Sequence, residues 1–119
     1  MSDIAHPLAV IVMGDPKTRL GDFVERNLSA ANVVGHFVDS TENFLRLESE
    51  VDASRMILID PDWELMLMLH CPGARLLVVQ PRGDYWTPSW TDAAAFEVRS
   101  PYLDDELFQR YVLSWLREG

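Results

Sequence analysis

Three carboxylates and one thiol are the side chains here whose types and spacing could do chemistry. Asp15 follows the apolar run Leu8-Ala-Val-Ile-Val-Met13 after a single glycine, and Asp60 and Asp62 follow the run Met56-Ile-Leu-Ile59 with Pro61 between them. Oxygen ligands of this kind suit a hard cation such as Mg²⁺. Two carboxylates could also divide the roles of nucleophile and acid in a small metal-dependent hydrolase, although no base or further ligand is placed near them. Each acid also has a plainer use. Asp15-Pro16 makes a good helix start, with Asp as N-cap and Pro at the first helical position, and Asp60-Pro61 is a turn signal. Cys71 adjoins His70, but neighbouring residues on a helix or strand point in different directions, so the pair does not read as nucleophile and base. His6, His36 and His70 lack the paired spacing of a zinc site.

The elements that must position these groups are read from apolar periodicity. Leu8–Met13, Met56–Ile59 and Leu76–Val79 are unbroken apolar runs, which describe strands covered on both faces in a parallel sheet. Val33–Val38, interrupted by Gly35 and His36, and the brief Phe96-Glu-Val98 are mixed, as edge strands are. Between them the spacing predicts helices over about 16–31, from Asp39-Ser-Thr-Glu42 through Val51, over Trp63–His70, from Thr87-Pro88 through Ala95, and after Asp104. In the last, Leu107, Phe108, Tyr111, Val112, Trp115 and Leu116 form the apolar face. Five strands alternating with five helices give an α/β fold, a flavodoxin-like (βα)5 sandwich. With the unbroken runs central and the mixed ones outside, the strand order is 2-1-3-4-5. Its switch point lies between the first and third strands, so Asp15 and Asp60 should meet across the crevice.

Composition limits the choices further. The 119 residues suit a single domain, and with 48% hydrophobic and 24% charged residues they are those of an ordinary globular protein. No apolar run is long enough to span a membrane and no signal peptide is visible, so a cytoplasmic location is expected. The lone Cys71 agrees with a reducing compartment. A net charge of −9 lacks the basic footprint of nucleic-acid binding, which leaves proteins, cations or small molecules as partners.

In this order the residues resemble the receiver domains of two-component response regulators, over nearly the whole chain. Such domains carry an acidic pair after the first strand, a phosphoacceptor Asp after the third, a Ser or Thr after the fourth and a Lys-Pro after the fifth. Here Gly14-Asp15 stands in the first place, Asp60 in the second, Gln80 in the third and Ser100-Pro101 in the fourth. The resemblance implies Asp60 as phosphoacceptor candidate, Asp15, Asp60 and Asp62 as ligands of a weak Mg²⁺ site, and Gln80, Ser100 and Pro101 as switch positions. It also implies a cis Ser100-Pro101 bond. The departures matter chemically: one loop acid in place of two weakens a Mg²⁺ site, and without the lysine no positive charge meets a phosphoryl group.

The chain therefore reads as a degenerate receiver, a non-enzymatic signalling domain that works through protein contacts without efficient phosphotransfer. Its partner would be a kinase, a regulator, an output domain or a second copy. The last helix and fifth strand are the partner surface that the resemblance implies, with Tyr102, Phe108 and Tyr111, and Trp86 and Trp90 add aromatic area of the kind interfaces use. A working receiver phosphorylated on Asp60 is the alternative. A flavin-binding protein of this topology would want a Gly- and hydroxyl-rich loop where Gly14-Asp-Pro-Lys-Thr18 places an acid.

Overall fold

The structure is a computed structural model that describes residues 8–84, 86–99 and 103–118. Five strands form one sheet: β1 (Leu8–Met13), β2 (Val33–Val38), β3 (Arg55–Leu58), β4 (Arg75–Pro81) and β5 (Ala93–Val98). All pairings are parallel and the order is β2-β1-β3-β4-β5, the doubly wound order expected from the apolar runs. Alternate side chains of each central strand enter opposite layers, as the two-residue period of a strand requires. Val10, Val12, Ile57, Leu77 and Val79 pack with Phe23, Val24 and Leu28 of α1 (Arg19–Ala30) and Phe108, Val112 and Trp115 of α4 (Asp105–Arg117). Ile11, Met13, Met56, Leu58, Leu76 and Val78 pack with Phe44 and Leu47 of α2 (Thr41–Glu48) and Leu67 of α3 (Glu64–His70). Both faces of the sheet are thereby covered, which is why the central runs do not alternate in polarity.

Among the described residues four α-helices form, not five. The expected helix from Thr87-Pro88 through Ala95 is absent: residues 86–92 are irregular, and Ala93-Ala-Ala95 belong to β5, paired with Leu76 to Val78. Helix α1 also begins later than expected. Thr18, not Asp15, caps it, its Oγ1 accepting from the Gly21 amide at 3.0 Å, and residues 15–18 form a turn ahead of the helix. That turn lies flush on the first turn of α1, where a Cβ on Gly21 would fall 2.0 Å from the Asp15 carbonyl oxygen. Beyond α1, Asn32 takes φ 60°, a conformation asparagine tolerates after a helix. Helix α2 is capped by Ser40, which accepts from the Asn43 amide. A 3-10 turn (Pro61–Trp63) precedes α3.

Among the described residues no helix is long and apolar enough to cross a membrane. The expected cis Ser100-Pro101 bond and the partner residue Tyr102 lie outside the described residues.

Candidate functional site

The carboxyl edge of the sheet carries the candidate carboxylates Asp15, Asp60 and Asp62 and the switch position Gln80. Met13 is in register with Leu58, and the Ile59 amide donates to the Met13 carbonyl at 3.1 Å, so the chain leaves β1 and β3 side by side. Asp15 and Asp60, two residues past that paired end, thus sit at one edge of the sheet. Both carboxylates are used locally. Asp15 Oδ1 accepts from the Lys17 amide at 2.8 Å, and Asp60 Oδ1 accepts from the Asp62 amide at 3.0 Å, capping the 3-10 turn. The plainer uses foreseen for these residues, turn and cap, are therefore present, with the qualification that Asp15 caps its own turn rather than α1. Asp62 is exposed on the 3-10 turn. Among the described residues no group of three or more His, Cys, Asp or Glu side chains is gathered around one point that could hold a metal ion.

Position 14, beside Asp15, has no room for a side chain. Gly14 is buried with φ 155°, and a Cβ built on it would lie 2.2 Å from Ile59 Cγ1 and 2.7 Å from Ile59 Cδ1. The isoleucine therefore occupies the space in which a side chain at position 14 would stand. Glycine is required here by the approach of Ile59, the residue that follows β3, a reason that only the paired strands make visible.

Gln80 is 7% exposed, and its Oε1 accepts from the Trp86 amide at 3.1 Å. Trp86 in turn donates its indole Nε1–H to Glu64 Oε2 at 3.2 Å, joining the β4–β5 connection to α3. Trp86 and Trp90 both pack on the α2–α3 side of the core, and Thr91 Oγ1 donates to the Ala74 carbonyl. The irregular segment thus covers the sheet with two indoles where a helix was expected. Its tryptophans are half-buried packing residues and only partly available to a partner.

On the opposite layer Phe108 is fully buried, 5.2 Å from the Phe23 ring and 5.1 Å from the Phe96 ring between centroids. It is a core residue, which corrects its placement on the partner surface. Tyr111 leans on Phe96 at 5.4 Å yet remains 37% exposed. Leu107, expected inward with Phe108, faces outward at 52%, and Leu103 stands at 83%. The helical face is rotated from the expectation because Phe108, Val112 and Trp115, at spacings of four and three, suffice to fill the core side. Leu103, Leu107 and Tyr111, four residues apart, were the readable signal of an outer apolar stripe.

Cys71 and His70 do not form a catalytic pair. His70 ends α3 exposed, while Cys71 lies with Sγ 3.8 Å from Glu48 Oε2. Burial, together with the neighbouring Glu48 carboxylate, pushes the Cys71 thiol above its ordinary value, which is the wrong direction for a nucleophile.

No protein-family model matches the chain, and no curated protein matches it in sequence. Among solved structures, a de novo designed Rossmann fold protein is similar over 93% of this chain and 99% of its own, with a TM-score of 0.38 and 11% identity. The fold assignment rests on the strand order and layers described above.

Proposed function

We propose that this chain is a receiver-like signalling module that acts by binding another protein or a second copy of itself, without efficient phosphotransfer. The observation that carries the reading is the exposed apolar pair Leu107 and Tyr111, four residues apart on α4, with Leu103 exposed in the turn just ahead of that helix. Leu103 and Leu107 are large apolar side chains left exposed where the core side of α4 is already filled, and Tyr111, though it leans on Phe96, keeps 37% of its surface open, an arrangement that suits an interface. Reduced phosphotransfer is supported by the chemistry at the sheet edge. Ile59 fills the place of a second acid, the Asp60 carboxylate is engaged in its own turn, and Gln80 is held by the Trp86 amide.

Sedimentation velocity over a broad concentration range, with and without Leu107→Glu and Tyr111→Glu, tests the surface. Self-association, or capture of a signalling partner, that both variants abolish while circular dichroism stays unchanged is the expected result. Mass spectrometry after incubation with Mg²⁺ and a small phosphodonor tests the second half. Stoichiometric gain of a phosphoryl group that Asp60→Asn removes would establish the working receiver instead.

A further inference from the structure

A groove crosses the carboxyl edge of the sheet between the start of α1 and the ends of β3, β4 and β5. It has two hollows that share Leu20 and Pro81, of about 360 Å³ and about 260 Å³. The larger is walled by Ile59, Val79 and Trp86, with Gln80 and Asp84 as its polar groups. The smaller is walled by Phe23 and Val98 and flanked by Arg19 and Arg99. From these residues we infer that the groove binds a small amphipathic organic anion, its apolar body over Ile59, Val79 and Trp86 and its acidic group between Arg19 and Arg99.

Charge complementarity selects this class of ligand. The chain carries −9 overall, yet its apolar groove places two guanidinium groups at one end. Among the described residues Arg19 makes no ion pair, and the Arg99 side chain pairs with Glu97 at 3.8 Å with the arginine 71% exposed, a contact of little energy. The Asp104 carboxylate accepts from the Arg99 backbone amide. Arg19 opens α1, where the helix dipole adds a further positive contribution. Asp84, at the larger hollow, disfavours an anion there and so fixes the ligand's polarity. The combined size is in the range of small-molecule sites, and the groove lies beyond the carboxyl ends of the strands, the side of an open parallel sheet on which ligands bind. A purely apolar occupant would leave the arginines unused, and an inorganic anion would leave the walls of the groove uncovered.

Two probes of similar shape and different charge decide the matter: anilinonaphthalene sulfonate, an aromatic sulfonate, and the neutral N-phenylnaphthylamine. The sulfonate is expected to bind saturably to the folded protein and to quench tryptophan fluorescence through Trp86. Arg19→Gln with Arg99→Gln should weaken it about tenfold or more, the scale of a lost charged hydrogen-bond partner. The neutral probe should change less than about twofold, and Arg19→Lys with Arg99→Lys should retain most sulfonate binding. Equal loss of both probes, unchanged sulfonate affinity in the double Gln variant, or no saturable binding overturns the assignment. Both arginines are exposed, so the variants should fold, which circular dichroism checks.

Discussion

The contact between Gly14 and Ile59 can be tested as a pairwise energy. Gly14→Ala places a methyl group 2.2 Å from Ile59 Cγ1, and relieving such overlap in a packed site costs about 1–3 kcal/mol. Ile59→Ala removes a half-buried side chain and should cost about 2 kcal/mol, the low end of the range for buried isoleucine. Joined, the two changes remove the overlap, because the atoms that the new methyl group would meet are gone. The double variant should therefore be at least about 1 kcal/mol more stable than the sum of the single costs implies. Any strain from φ 155° is common to the single and double variants that carry Gly14→Ala and cancels in the coupling. Urea unfolding followed by tryptophan fluorescence supplies the four stabilities. Additivity within about 0.5 kcal/mol would refute the claim that Ile59 fills the place of a second acid. The same background serves function: Gly14→Asp should be less destabilising with Ile59→Ala than without it.

Other perturbations follow from single contacts. Gln80→Ala leaves the Trp86 amide without its acceptor and should cost about 1–3 kcal/mol, with faster hydrogen exchange at Trp86; unchanged exchange would show that the loop does not depend on Gln80. Phe108→Ala should cost about 3–5 kcal/mol in chemical denaturation, because the ring is fully buried between Phe23 and Phe96, and a cost under about 1 kcal/mol would place it at the surface after all. Cys71 should alkylate more slowly at neutral pH than an unstructured thiol. Because its thiol is raised in the folded protein, reactivity should climb only above the ordinary thiol range, and Glu48→Gln should move the profile partway down, leaving the share due to burial. Asp52, held low chiefly by the Ser54 amide, stabilises the fold above its unfolded value; that contribution fades as pH falls through the depressed folded value, and Asp52→Asn should flatten this part of an acid-unfolding curve.

The sheet was readable because three unbroken apolar runs require cover on both faces and two mixed ones do not, which fixes centre and edge before any coordinates. That same order already placed Asp15 and Asp60 at one edge. What those carboxylates bond to was not readable, since an Asx turn and a helix cap share residue types and differ only in where the chain turns next. Thr18 won the cap of α1 because residues 15–18 turn first, pressed against Gly21. The outward turn of Leu107 escaped for another reason: an apolar face of six residues is wider than the core needs, and packing decides which members stay inside.

The missing helix between β4 and β5 has a physical cause that propensity conceals. Ala93-Ala-Ala95 is the strongest local helix former in its neighbourhood, and alanine ranks first on helix scales. Yet β4 is seven residues long, and without Ala93 to Ala95 beside Leu76 to Val78 its backbone groups would lack partners in a buried central strand. Tertiary pairing therefore overrides propensity. Residues 86–92 are irregular, and cover on that face comes from Trp86 and Trp90. Replacing a helix by indoles on a loop has a consequence for the groove. Trp86 is at once part of its wall, the donor to Glu64 on α3 and the partner of Gln80. A molecule seated against Trp86 thus bears directly on the hydrogen bonds that hold the β4–β5 connection to the sheet and to α3.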